Sequence, residues 1–186
     1  KLILVEKRDT LLEYLKGDPN IIVKLGKRSL RSQRVDNNGR RLRNPLIIEF
    51  AKIRNDHKCH VITYTNENNI IQHRFNQSLF SNNHNVPYCE GHHIIEFGNE
   101  NGPDIIENIL LVDPNTHMLV HHGNREYRDD LFRMLRQENI ITLDRFKSMI
   151  TNYNCLTEEH IDILKNKSLI YRSEAEQLKL LIQEQS

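Results

Sequence analysis

The stretch Tyr88–Gly123, YCEGHHIIEFGNENGPDIIENILLVDPNTHMLVHHG, carries five of the chain's ten histidines: His92, His93, His117, His121 and His122. Asn108 lies 16 positions after His92 and 9 before His117. Imidazole is the commonest protein metal ligand and the usual general base near neutral pH. Five such groups set into an apolar framework are hard to account for by packing alone. The pattern around them predicts how they meet. His93–Phe97 and Asn108–Val112 have the length and β-branched content of short strands. Between them Gly98-Asn99-Glu100-Asn101-Gly102-Pro103-Asp104 has loop chemistry. Asp113-Pro114-Asn115 reads as a helix start, an Asp N-cap followed by Pro at the first helical position. On that helix His117 and His121 stand four apart and share a face, and Gly123 suits the C′ position.

Strand, loop, strand and short helix, with a histidine pair, an asparagine and an H-x-x-x-H helix in this order, resemble the HNH or ββα-metal nuclease motif. The match is closest to the colicin-DNase variety. The resemblance covers under a fifth of the chain, and its specificity lies in five positions agreeing at once; H-x-x-x-H alone occurs on many helix surfaces. It implies an α+β fold with a ββα-metal core. It also implies that His92, His117 and His121 ligate one divalent ion, that His93 is the general base, and that Asn108 braces the loop positioning His93. The implied activity is hydrolysis of DNA phosphodiester bonds, leaving 5′-phosphate and 3′-hydroxyl ends. Such units are common in bacterial restriction and phage-defence systems, so a bacterial or phage origin is expected. One motif is one active site, so a double-strand cut needs a homodimer or two encounters.

The chemistry fits those residue types. A phosphodiester is shielded by its own charge, so the attacking water needs a base and the phosphorane a cation. An imidazole that titrates near 6.5 can accept the water's proton at pH 7. Three protein ligands leave positions open for a phosphate oxygen and the leaving oxygen. Mg²⁺ is the expected ion, and a histidine-rich donor set also accepts Mn²⁺, Ni²⁺ or Zn²⁺. Glu90 and Glu96 are the nearby candidates to orient the ligating imidazoles. Many relatives of this motif carry a structural zinc on two C-x-x-C knuckles. Here the corresponding positions read Cys59-His60-Val61-Ile62 and Asp113-Pro114-Asn115-Thr116. That leaves one good soft ligand where four are wanted, so no structural zinc is expected and Cys59 reads as a small buried residue. His122 points about 100° away from His121 on the helix and is read as non-functional. His57, His60, His73, His84 and His160 have no partner at a telling spacing and are expected to be exposed.

Charge is unevenly spread along the chain. Lys24–Arg43 holds eight basic residues, Lys24, Lys27, Arg28, Arg31, Arg34, Arg40, Arg41 and Arg43, against Asp36, a local balance of +7. Residues 44–123 hold four Lys/Arg and nine Asp/Glu, a balance of −5, and the overall formal charge of +1 hides the separation. An acidic, histidine-rich core attracts a cation but repels a nucleic-acid backbone, so a basic arm is needed to hold the substrate. Arginine suits it because its fork matches phosphate oxygens. Lys27, Arg28, Arg31, Arg34, Arg40, Arg41 and Arg43 are therefore the expected DNA contacts, with Arg28, Arg31 and Arg34 on one face if that stretch is helical. No base-reading motif accompanies them, so sequence specificity is expected to be low unless a protein partner or upstream domain supplies it. RNA as substrate stays open, as does a second class of function, a nucleic-acid-binding module whose metal only shapes the fold.

The rest of the chain frames that unit. At 186 residues it reads as one compact unit of three parts: 1–50, a short helix and the basic segment; 51–124, the nuclease core; and 125–186, a helical extension. The chain opens on Lys1-Leu2-Ile3-Leu4-Val5 without Met, as expected of a processed, excised or C-terminal piece of something longer. Three cysteines without informative spacing fit a reducing cytoplasm, and no apolar run approaches the ~20 residues of a membrane span. Asp9–Lys16 reads as an amphipathic helix, Ile21-Ile22-Val23 as a brief strand, and Pro45–Arg54 as a helix or strand. Cys59–Thr63 and Ile70–His73 read as a strand pair, followed by an Asn-rich loop. Helices are expected over Glu126–Glu138, Leu143–Tyr153, Glu158–Lys167 and Glu174–Gln183, with Thr142, Thr157 and Ser173 as N-caps.

Overall fold

A computed structural model describes residues 20–31, 35–79 and 88–185. The helix expected over Asp9–Lys16, Arg34 and His84 lie outside the described residues. Within them the fold is α+β: seven α-helices and one four-stranded mixed sheet. Helices α1 (Ile21–Arg31) and α2 (Pro45–Arg54) precede the hairpin β1 (Cys59–Thr65) and β2 (Ile71–Gln77). Strands β3 (Glu90–His93) and β4 (Ile109–Val112) follow, and then α3 (Pro114–His122), α4 (Arg125–Gln137), α5 (Leu143–Thr151), α6 (Glu158–Asn166) and α7 (Arg172–Glu184). The strand order is β2-β1-β4-β3, with β1 parallel to β4 and the other pairs antiparallel. No helix among the described residues is long and apolar enough to cross a membrane.

Strand β4 is central, and its sequence says so: Ile109-Leu110-Leu111-Val112 is a continuous apolar run, as strands covered on both faces require, and all four side chains are buried. Leu110 and Val112 join the larger core with Val61, Val120 and the apolar stripes of α4 to α7. Ile109 and Leu111 face the other way, onto Ile47, Phe50 and Ala51 of α2 and onto Cys59 and Cys89. The C-terminal helices thus share one continuous core with the sheet.

Several expectations are corrected by packing. Ile21–Val23 is the first turn of α1: Ile22 and Leu25 pack on one apolar cluster, Val23 and Leu30 on the other, a helical period the three-residue reading missed. Pro45 opens α2 at its first position behind the N-cap Asn44. Strand β3 ends at His93 rather than continuing to Phe97, and Asn108 closes a 3₁₀ turn (Ile106–Asn108) ahead of β4. Thr142 and Thr157 cap their helices as expected. Helix α7 begins earlier than Ser173, with the Glu174 carboxylate accepting from the Tyr171 N–H at 2.5 Å. On α4, Leu131 and Leu135 are buried, whereas Tyr127 is exposed.

The histidines outside the cluster are not the exposed set the sequence implies. His160 is buried, its Nε2 against the Glu100 carbonyl at 3.1 Å. His57 is half-buried. His73 is half-buried too, with its Nδ1 2.9 Å from the Thr63 hydroxyl. His60 Nδ1 accepts the Leu111 N–H at 2.8 Å, supplying β4 with a side-chain bond where β1 pairs with it only at Val61–Val112. Burial, and then Arg145 and Arg54, push the His60 imidazole down to about 4. The unfolded chain therefore takes up a proton on His60 that the fold refuses, and stability is lost as pH falls from about 6.5 towards 4. His60→Asn keeps an acceptor near Nδ1 but does not titrate. Chemical denaturation at pH 7 and pH 4.5 should show the variant's acid-induced loss smaller than wild type's by about 2 kcal/mol, a figure discounted for partial exposure.

Candidate metal centre

Adjacent residues on a strand point to opposite faces, and this separates the two members of the His92-His93 pair. His92 pairs with Leu110 across the β3–β4 ladder and turns towards α3; His93 pairs with Ile109 and turns the other way. Helix α3 starts where the sequence places it. The Asp113 carboxylate accepts from the N–H groups of Asn115 at 3.1 Å and Thr116 at 3.1 Å. It also takes the Thr63 N–H of β1 at 3.0 Å, which docks the helix start on the sheet. Pro114 fills the first helical position. At the far end Gly123 is needed for space rather than for a left-handed φ, correcting the C′ expectation: its φ is −67°, and a Cβ there would meet the Leu119 carbonyl oxygen at 2.4 Å.

His117 and His121, one turn apart, face back over β3. Together with His92 they offer three ligand nitrogens that all lie within 4.8 Å of one another. Ring centroids are 5.4 Å apart for His92–His117, 4.8 Å for His92–His121 and 4.9 Å for His117–His121. Burial first, and then His121 and His117, push His92 down to about 2, so the ring is neutral with a lone pair to offer. His121 is also lowered, chiefly by burial and by His117. Of the two carboxylates expected to orient these rings, Glu90 is within hydrogen-bond distance of its ring and Glu96 is not. Glu90 Oε2 lies 2.5 Å from His117 Nδ1, and Glu96 Oε1 lies 3.9 Å from His121 Nδ1. The Tyr88 hydroxyl donates to Glu90 at 2.7 Å; it and His117 hold the Glu90 carboxyl below the usual range. Three imidazoles on one face, graded from buried His92 to exposed His121 and with His117 braced by Glu90, suit a divalent ion. His122 is exposed and lies outside the trio.

A cavity of about 210 Å³ opens beside the trio, lined by His92, His93, His117, His121, Glu96, Phe97 and Arg43, among others. His93 is buried under it, with Nε2 3.0 Å from Asp104 Oδ1, while Nδ1 has no hydrogen-bond partner among the described residues. The loop between β3 and β4 is closed by Asn108. Its amide oxygen accepts the Ile95 N–H at 2.9 Å, and its NH₂ donates to the carbonyls of Ile95 and Pro103, each at 2.9 Å. Gly102 is obligatory there, since a Cβ would sit 1.9 Å from the Ile95 carbonyl oxygen.

Comparison with family models, with curated proteins and with solved structures finds no match. The site therefore stands on its own geometry.

That geometry sorts the predicted basic residues. Arg43 lines the cavity. Arg41 is one layer back, its guanidinium 4.3 Å from the Phe97 ring centroid and donating to the Gly102 carbonyl at 3.4 Å. Lys27, Arg28 and Arg31 are exposed on α1 and Arg40 is exposed in the turn before Arg41, none of them lining the cavity. Sequence reasoning missed Asp104, which is buried, and Lys167, which donates to Glu100 Oε2 at 2.7 Å and to the Ile94 carbonyl at 3.4 Å. Neither has a local pattern that announces it, because both partners are brought together only by the tertiary fold.

Titration calorimetry with Ni²⁺ or Zn²⁺ should find one site per chain. Ala at His92, His117 or His121 should abolish it, His122→Ala should leave it intact, and Glu90→Gln should weaken it roughly 10- to 100-fold. Asn108→Asp removes both amide donors and should destabilise the fold by about 2–4 kcal/mol in urea denaturation, since two buried carbonyls lose partners.

Proposed function

We propose that the protein is a divalent-metal-dependent endonuclease that hydrolyses DNA phosphodiester bonds, with a ββα-metal core formed by β3, β4 and α3. One observation carries this reading: the three-histidine trio, His93 and Arg43 all line a single cavity, so a metal, a base and a phosphate-binding cation converge on one reacting centre. An imidazole trio alone is compatible with a purely structural ion; a fourth histidine held outside the trio, with one nitrogen free, is what a hydrolase needs.

In this reading His92, His117 and His121 hold the ion, and Glu90 keeps the His117 ring turned towards it. When bound, a divalent ion supplies Lewis-acid stabilisation of the phosphorane and of the leaving 3′-oxygen. His93 accepts the proton of the attacking water at Nδ1, its Nε2 being engaged by Asp104. Arg43 binds a non-bridging oxygen of the phosphate at the rim, with Arg41 behind it stacked on Phe97. Asn108 keeps the loop carrying Phe97 and Asp104 closed. The exposed cations of α1 bind flanking phosphates without reading bases.

Supercoiled plasmid incubated with Mg²⁺, Mn²⁺, Ni²⁺ or Zn²⁺ should be nicked or linearised by wild type, and EDTA should stop it. His93→Ala should keep fold, metal binding and DNA binding but cut at least about 100-fold more slowly. A protein that shifts DNA in a gel but cuts with none of these metals would instead be a nucleic-acid-binding module. Equal cutting by both proteins would remove His93 from the mechanism.

A further inference from the structure

Asp104 is buried, and its carboxylate is shared among three elements that are distant in sequence. Oδ1 meets His93 Nε2 at 3.0 Å. Oδ2 accepts the backbone N–H of Asn44 at 2.6 Å and the Ser29 hydroxyl at 3.3 Å. Asn44 is the N-cap of α2 and directly follows Arg43, the cation at the cavity rim. The same carboxylate therefore touches the imidazole on one side and the anchor of the arginine segment on the other.

A carboxylate has no proton to give, so the bond at Oδ1 requires His93 to carry its proton on Nε2. Nδ1 is then a bare lone pair, and it is the ring nitrogen without a partner. A base must present a lone pair to the water it deprotonates, and the tautomer of a neutral histidine is set by the bond its other nitrogen makes. We infer that Asp104 is a positioning residue, holding His93, a ring that lines the cavity, as the Nε2–H tautomer with its lone pair on Nδ1, and fixing the backbone from which Arg43 projects. The tautomer assignment stands on the contacts alone; its consequence for rate rests on the nuclease reading.

Asp104→Asn tests this because the amide cannot accept from all three partners. The Asn44 N–H can only donate, so the amide must turn its oxygen to Asn44 and its NH₂ to His93. That forces His93 to accept at Nε2 and to carry its proton on Nδ1, the nitrogen needed for the water. Long-range ¹H–¹⁵N correlation spectra of the full chain with Zn²⁺, the His93 signals identified by their loss in His93→Gln, read the tautomer directly. Wild type should show Nε2–H and Asp104→Asn should show Nδ1–H, with calorimetric metal affinity unchanged. In plasmid cleavage the variant should lose kcat by roughly 100-fold or more while KM changes little.

Wild type with its proton on Nδ1 overturns the proposal without any variant having to fold. A variant that keeps the wild-type tautomer, or that cleaves at the wild-type rate, also overturns it. A tautomer switch in a protein whose wild type cleaves nothing upholds the positioning role of Asp104 and fails the nuclease reading instead.

Discussion

The buried side-chain amide of Asn108 is the interaction on which the site depends. The eleven residues from Ile94 to Asp104 leave the sheet after β3 and return before β4, and they bring Glu96, Phe97 and Asp104 with them. Such a loop carries backbone groups into the protein interior, where each unmet donor or acceptor costs about 1–3 kcal/mol. Asn108 meets three of them at once, the Ile95 N–H and the carbonyls of Ile95 and Pro103. Its own backbone carbonyl takes the Ile94 N–H at 2.9 Å. Only a side chain with both a donor and an acceptor in one plane can do this. Ser lacks the reach, and Asp lacks the donors. The loop is thus closed by a residue of the 3₁₀ turn that feeds β4, and the position of His93 relative to Asp104 follows from that closure.

The helical C-terminal part completes the same loop from outside. Lys167, at the end of α6, bonds Glu100 and the Ile94 carbonyl, and His160 in the first turn of α6 meets the Glu100 carbonyl. Glu100 in turn accepts the Glu96 N–H at 2.7 Å. Without α6 the turn over residues 96–100 would keep its internal bonds but lose the cation that neutralises Glu100. Because α4 to α7 also share the larger apolar core with β4 and Val120 of α3, they belong to the framework of the candidate metal centre and are more than an appendage to it.

Much of the centre was legible in the sequence, for reasons that are local. The N-cap Asp113 with Pro114, the four-residue step from His117 to His121 and the apolar run of β4 each follow from one-dimensional periodicity or capping chemistry. What escaped depends on partners remote in the chain. Asp104 is 60 residues from Asn44 and 75 from Ser29, and no pattern around it distinguishes a buried hub from a loop carboxylate. The half-buried His60 and the buried His160 look exposed in the sequence because a histidine used as an acceptor or donor inside the fold carries no spacing signal. The reading of Ile21–Val23 as a strand failed for a related reason: three β-branched residues fit either period, and only the contacts of Leu25 and Leu30 decide for a helix.

The alternation of the strand explains why a histidine pair, rather than a single histidine, begins the site. Two adjacent residues on β3 send their side chains to opposite faces, so His92 alone of the pair joins His117 and His121. In the proposed reading the pair divides ligation from proton transfer, with His92 towards α3 and His93 towards Asp104. The helix that carries His117 and His121 must then be fixed against the sheet on the His92 side. Where the nuclease resemblance places a second pair of knuckle cysteines stand Asp113 and Thr116, and they fasten the helix by hydrogen bonds instead. Asp113 holds the Thr63 N–H and the Thr116 hydroxyl, and that hydroxyl meets the Thr63 hydroxyl at 2.7 Å. All three residues are buried, where such bonds are shielded from competing water. This cluster registers the start of α3 on β1, and the register decides whether His117 or a neighbour one position away, on a different helix face, looks onto His92.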